Sequence, residues 1–210
     1  MELLQDQVDQ IAEKVVAGIK QKLFIPVEAS GRHVHLSRKI IDILFGEGYQ
    51  LTKAKELSQP GQFSCVERVD LTGPKGTIKN VAVLGPERQN TQVEVSLTDA
   101  VALGIRPPLR ESGNLAESAE VTLATQLASV PVKAAIIAKR HIHMSVEDAQ
   151  WFGVADKQNV CVEVLGTRPV IFQDVTIRVS PRFRTFMHLD YDEANACGYQ
   201  KGTVARLVRK

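Results

Sequence analysis

Cysteine is scarce in this 210-residue chain: Cys65, Cys161 and Cys197 are odd in number and no two have Cys-x-x-Cys spacing. That set offers neither a disulfide framework nor a cysteine-ligated zinc site, and it reads as the reduced thiols of a cytosolic protein. Charge of one sign is lacking too. The net charge is +2 and the basic residues are scattered, apart from the tail Arg206 to Lys210, so no nucleic-acid or anionic-membrane partner is expected. No apolar run approaches the roughly 18 residues a membrane helix needs, which argues against a membrane span. Glu2, Asp6 and Asp9 precede any apolar segment, which argues against a secretory signal. Finally, there is no Gly-x-Ser-x-Gly, no P-loop and no Gly-x-Gly-x-x-Gly, so neither a serine acyl-enzyme nor a nucleotide fold is indicated.

What the chain does have, it has twice. Arg32-His33-Val34-His35-Leu36-Ser37 returns as Arg140-His141-Ile142-His143-Met144-Ser145. On a strand, both histidines of His-x-His share a face with an apolar residue behind them, so each copy can chelate one metal ion. The later parts of the copies also match. Thr91-Gln92-Val93-Glu94-Val95 aligns with Thr185-Phe186-Met187-His188-Leu189, and Asp99 to Gly104 aligns with Glu193 to Gly198. Arg88 then faces Arg182, and Glu94 faces the fifth histidine, His188. The histidine motifs are 108 positions apart (33 to 141) and the later segments 94 (94 to 188), so copy one carries 14 extra residues, placed around Tyr49 to Gln62. An internal duplication organises the chain.

Residues 2–23 carry Leu3, Leu4, Val8, Ile11, Val15, Ile19 and Leu23 at helical spacing and predict an amphipathic helix ended by Pro26. Such a stripe serves either as a helix packed on the protein or as a detachable partner-binding helix. Val27 to Val34 and Ile136 to Ile142 read as strands leading into His-x-His. Ser37 and Ser145 read as N-caps of helices that stop at Gly46 and Gly153, Ser145 with Asp148 three residues on. Further strands are expected at Cys65 to Leu71, Ile78 to Leu84, Val121 to Thr125, Val160 to Leu165, Val170 to Val179 and Val204 to Val208. The fold class is therefore mainly β: two duplicated, small, antiparallel β-barrel domains capped by short helices. The division is 1–23 helix, 24–106 first repeat, 107–131 connector and 132–210 second repeat.

Each copy offers two histidines and a third ligand from a later strand: His33, His35 and Glu94, then His141, His143 and His188. Three nitrogen or oxygen ligands with an open position is the makeup of a catalytic zinc site, although iron, cobalt and nickel accept the same donors. Arg88, six residues before Glu94, reads either as a surface charge or as a planar fork for an oxyanion. Ser112-Gly113 reads either as a turn or as hydroxyl and N–H donors to that anion.

Those residues resemble the PduL-type phosphotransacylases, the phosphate propanoyltransferases associated with bacterial microcompartments. The resemblance runs from about Pro26 to the C-terminus, through both histidine motifs, Gln59 to Phe63, Thr72 to Gly76, Leu84 to Arg88, Gln92 to Ser96, Leu109 to Gly113 and Met187 to Ala196. It implies two β-barrel domains with a two-zinc site at their junction, one zinc on His33, His35 and Glu94 and the other on His141, His143 and His188. It also implies that acyl-CoA (propanoyl-CoA or acetyl-CoA) and phosphate give acyl phosphate and coenzyme A, reversibly, by direct attack of zinc- and Arg88-bound phosphate on the thioester. Arg88 and Ser112 are the expected catalytic residues, and Ser30, Lys55, Leu84 and Asn195 fall where family members line the CoA pocket. One departure is visible: several members have Arg where this chain has Ala82. A carboxylate lowers the charge at its metal, so the all-histidine zinc would be the stronger Lewis acid, and it is expected nearer the CoA sulfur. The resemblance further implies a homodimer, and gives residues 2–23 a reading as an encapsulation helix for microcompartment shell or cargo proteins. Two rival functions use the same ligands: a dinuclear zinc hydrolase of thioesters or phosphoesters, and a non-catalytic metal-binding barrel.

Overall fold

The computed structural model describes residue 18 and residues 23–208, so the helix expected over 2–23, with its encapsulation reading, lies outside the described residues apart from those two positions. The described chain is mainly β. In order its strands are β1 (Ile25–Ala29), β2 (His33–His35), β3 (Lys53–Glu56), β4 (Phe63–Thr72), β5 (Thr77–Gly85), β6 (Gln92–Glu94) and β7 (Leu109–Arg110). Then come β8 (Ala119–Ala124), β9 (Ser129–Ala138), β10 (His141–Met144), β11 (Asn159–Val164), β12 (Val170–Val179), β13 (Phe186–Leu189) and β14 (Val204–Leu207). Four short helices interrupt them: α1 (Arg38–Phe45), α2 (Leu97–Leu103), α3 (Val146–Phe152) and α4 (Tyr191–Ala196).

Alternation builds these strands. Along β4, Cys65, Val69 and Leu71 turn inward and are fully buried or nearly so, while Val66 and Arg68 are exposed. In the first barrel Val34 pairs with Val83 on one side and Val93 on the other, and all three are completely buried. Ile142 does the same in the second barrel, between Ile177 and Met187. Burying each such side chain is worth about 1.5–3 kcal/mol. The histidines on either side of Val34 and of Ile142 therefore face the outside of their barrel.

Six strands close each barrel. The first is β4-β5-β2-β6-β9-β8, with β8 pairing back onto β4, and β3 and β7 hang on its edges. The second is β1-β13-β10-β12-β11-β14. Register confirms the duplication at the residue level. His33 pairs with Ala82 and Glu94, and His141 pairs with Thr176 and His188, so both partners keep the 94-residue offset (82 to 176, 94 to 188).

The barrels do not follow the 24–106 and 132–210 division. β1 belongs to the second barrel, where Ile25 pairs with Ala205 of β14, and the segment 107–131 is no mere connector, since it holds β8, which with β9, a strand that starts at its end and runs to Ala138, closes the first barrel. One compact unit accordingly holds Ala29–Arg140 and Leu189–Asn195, and the other holds β1 with His141–His188 and β14. Each expected strand into His-x-His is broken, at Ser30–Arg32 and at Lys139–Arg140. Both breaks fall where the chain leaves one barrel for the other. As a result the sheets are mixed rather than purely antiparallel: β2–β5, β6–β9 and β10–β12 are parallel pairs.

The 14-residue excess contains the four-residue β3, which is paired to β4 outside the closed ring. Ser145 accepts from the Asp148 N–H as expected. Ser37 does not cap α1, because its hydroxyl accepts from Thr91 Oγ1 at 3.1 Å instead. At Gly73, in the β4–β5 turn, a Cβ would lie 2.2 Å from the carbonyl oxygen of Leu103, the last residue of α2. The matching turn repeats this: a Cβ on Gly166 would lie 2.1 Å from the Cys197 carbonyl oxygen. Hairpin and helix pack too closely there for any side chain.

Candidate metal centres

On the outer face of the first barrel, β2 and β6 set His33 opposite Glu94 and His35 opposite Gln92. All four are more than nine-tenths buried. His33 Nε2 lies 3.5 Å from Glu94 Oε2. Its Nδ1 is 2.8 Å from the Gly31 carbonyl, which selects the Nδ1–H tautomer and leaves the Nε2 lone pair toward the carboxylate. His35 Nδ1 is buried without a hydrogen-bond partner. A polar atom left so costs about 1–3 kcal/mol, and a ligand lone pair awaiting a cation is its natural explanation. Donor atoms of His33, His35 and Glu94 all lie within 4.8 Å of one another. The triad therefore fits a divalent metal such as zinc.

The local field differs between the two imidazoles. Burial pushes the His35 imidazole well below its ordinary range, and the His33 and Arg88 charges push it further, so it stays neutral and able to ligate. For His33, burial lowers the pKa, but Glu94 and the Gly31 carbonyl outweigh it and leave the value raised. The Arg88 charge opposes protonation of both imidazoles. The Arg88 N–H donates to the Leu36 carbonyl at 2.9 Å, tying the β5–β6 loop to the residue after His35. Arg88 also lines a groove of about 860 Å³ with Ser37, Thr91 and Leu115.

Gln92, which the spacing argument passed over as a candidate in its own right, joins the expected Ser112 to this triad. Its Nε2 donates to Glu94 Oε1 at 2.5 Å and to Ser112 Oγ at 2.9 Å, and its Oε1 accepts the Gly113 N–H at 2.7 Å. The signal was present: two residues before Glu94 on one strand is the same face.

In the second barrel, β10 and β13 set His141 opposite His188 and His143 opposite Phe186. The three imidazoles are 4.6, 4.9 and 5.1 Å apart between ring centres. His143 Nδ1 and His188 Nε2 approach to 3.1 Å. Two nitrogens on a tetrahedral zinc, each about 2.0–2.1 Å from it, are about 3.3 Å apart, so this triad also fits. His188 Nδ1 is 3.8 Å from Glu28 Oε2, a carboxylate behind the ring, and Phe183 packs on His143 at 4.2 Å.

The arginine that opens each motif is structural. Arg32 Nε donates to Asp99 at 2.8 Å, and Arg140 Nη1 donates to Glu193 at 2.7 Å. Asp99 and Glu193 are the acids that close the N-terminal turns of α2 and α4, with Ser96 and Asp190 as their partners. Thus Arg32 ties the start of β2 to α2, and Arg140, the residue before β10, is held by the capping acid of α4.

Of the residues assigned to the CoA pocket, Lys55 and Leu84 fall in one cross-strand row, Lys55–Ser64–Leu84–His35–Gln92, on the face that carries the first triad. Ser30 lies on the link from β1 to β2, its N–H donating to the Leu189 carbonyl at 2.7 Å, and Asn195 is exposed on α4. Ala82 sits between His33 and Arg68 in the adjacent row.

Residues 26–200 match the family model described as phosphate propanoyltransferase. The chain belongs to that family. Proteins named phosphate propanoyltransferase from Clostridioides difficile and Enterococcus faecalis are 56% and 58% identical to it, over 99% and 97% of this chain and 100% and 98% of theirs. One from Thermotoga maritima is 47% identical over 98% of this chain and 99% of its own. Membership in the phosphate propanoyltransferase family makes the chain an acyltransferase enzyme. Among the described residues, no helix is long and apolar enough to cross a membrane.

Proposed function

We propose that this enzyme transfers an acyl group, propanoyl or acetyl, reversibly between coenzyme A and phosphate, with one zinc on His33, His35 and Glu94 and one on His141, His143 and His188. The observation that carries the reading is the first triad itself: a buried imidazole nitrogen without a partner, beside a carboxylate and within the field of the Arg88 charge. Such a place suits a cation and an oxyanion together. Zinc, when bound, supplies a Lewis acid that polarises the thioester carbonyl.

The protein's own groups do the rest. Arg88 holds phosphate through its planar fork and turns one oxygen toward the thioester carbon. Ser112, whose Oγ accepts from Gln92 Nε2 and keeps its own O–H, is the proposed donor to the same anion; the Gly113 N–H, read from the sequence as a second donor, is taken by Gln92 Oε1 instead. The C–O bond to phosphate forms, the C–S bond breaks, and its electron pair leaves on sulfur as the CoA thiolate. Phosphate is already ionised at neutral pH, so no general base is required. Ser30, Lys55, Leu84 and Asn195 are the proposed CoA contacts, Lys55 and Leu84 supported by their shared row with His35.

The test measures phosphate-dependent release of CoA thiol from propanoyl-CoA and acetyl-CoA, together with the acyl product. Acyl phosphate as product, about two zinc ions per chain, and loss of activity in His33→Ala and His188→Ala are expected. Free acid as product makes the enzyme a hydrolase and overturns the reading, as does full activity after the metal is stripped.

A further inference from the structure

The two triads differ at their third ligand, and a second difference accompanies it. Where the first copy has Glu94 the second has His188. Two residues earlier on the same strand, where the first copy has Gln92 the second has Phe186. Gln92 pairs with His35 as Phe186 pairs with His143. Each therefore sits beside the second histidine of its motif and on the face of the third ligand.

The chemistry explains why the replacements travel together. A carboxylate has two oxygens and can swing about its last bond, so something must hold one oxygen for the other to be presented. Gln92 does this: its NH2 group holds Oε1 of Glu94 at 2.5 Å, while Oε2 faces His33. The amide cannot be flipped, because its oxygen takes the Gly113 N–H and its nitrogen also donates to Ser112. An imidazole at the third position is braced differently: His188 has Glu28 behind its Nδ1, and phenylalanine at 186 suffices.

We infer that Gln92 is a positioning residue with two tasks: it orients Glu94 for the metal, and it ties the Ser112–Gly113 turn to that ligand so that the metal site and the turn form as one unit. This rests on the proposed metal-and-phosphate reading of the first triad. It adds that the site has a built-in link between metal binding and the groups that meet the anion. The second copy, with Phe186, lacks the amide that would make such a link.

The experiment compares Gln92→Ala, Gln92→Phe and the double variant Gln92→Phe/Glu94→His with the intact chain. It reads zinc affinity by competition with a chromophoric chelator, kcat and KM for phosphate separately, and hydrogen exchange at the Gly113 amide. Both single variants should lose about 10–100-fold in affinity for one of two zinc ions, raise KM for phosphate and speed exchange at Gly113. The double variant copies the second triad into the first site. It should regain the second zinc, while KM for phosphate and Gly113 exchange stay altered, because the tether is still missing. Two tight zinc ions and unchanged Gly113 exchange in Gln92→Ala overturn the inference, and so does a double variant that binds zinc no better than Gln92→Phe. Glu94→Ala separates this from the underlying reading: if that variant keeps two tight zinc ions, Glu94 is no ligand and the metal assignment itself fails.

Discussion

Replacing His35 by leucine should change stability in opposite directions with and without metal. His35 is 3% exposed, and one of its ring nitrogens is buried without a partner. Burial, His33 and Arg88 keep the imidazole neutral, so metal-free protein carries an unsatisfied polar atom rather than a buried charge. Removing that atom and filling its space with an apolar side chain of similar size should stabilise the metal-free protein by about 1–3 kcal/mol. In zinc at about a thousand times the dissociation constant, a site contributes about 4 kcal/mol to the intact protein. The variant forgoes that contribution, so it should be less stable than the intact protein by about 1–3 kcal/mol, the difference of those two figures. For a chain of this length each kcal/mol moves Tm by about 2–4 °C. Thermal unfolding of both proteins in chelator and in excess zinc should therefore show the variant melting higher in the first and lower in the second. A change of the same sign in both conditions would refute the argument, since the orphaned nitrogen would then not be a ligand.

Three further outcomes are expected. Arg88→Ala should raise KM for phosphate about 10–100-fold, the worth of a lost charge-assisted contact, with little change in KM for acyl-CoA; equal damage to both would reject the assignment. Gly166→Ala should cost about 1–3 kcal/mol by denaturant unfolding, because its Cβ would meet the Cys197 carbonyl oxygen at 2.1 Å, and unchanged stability would mean that hairpin and helix part easily. Glu67 tests pH. Burial raises its pKa, but its backbone contacts, the Thr52 N–H at 2.9 Å and the Tyr49 hydroxyl at 2.9 Å outweigh this and hold it below its ordinary 4.5. A depressed carboxyl stabilises the fold fully above its unfolded value and stops doing so as pH falls through the folded one. The stability gap between wild type and Glu67→Gln should thus be constant near neutral pH and close as pH drops below about 4.5; a gap that persists to pH 2 would contradict it.

Much of each site was legible because duplication supplied an internal comparison. Aligning Glu94 with His188 came from the later halves of the copies, and register pairs those residues with His33 and His141 as that alignment requires. Gln92 was harder to see, since a buried amide has no metal signature of its own; the contrast with Phe186 was the available clue. The exchange of strands was hidden for a different reason. Val27 to Val34 alternates well enough to read as one strand, yet Val27 continues a strand whose Ile25 pairs with Ala205, and Val34 pairs with Val83 and Val93. Local alternation fixes which face a side chain takes and carries no information about a partner 180 positions away. The arginine of Arg-His-x-His shows what such topology demands. In both copies it sits at or next to a break between barrels, and it is tied to the capping acid of the helix that follows the third ligand. Strands this short, three or four residues, cannot hold ligand geometry by ladder hydrogen bonds alone. In the first copy the Arg32–Asp99 pair adds such a constraint, and in both copies the arginine is spent on a capping acid, so the motif reads as one anchor and two ligands rather than as three reactive groups.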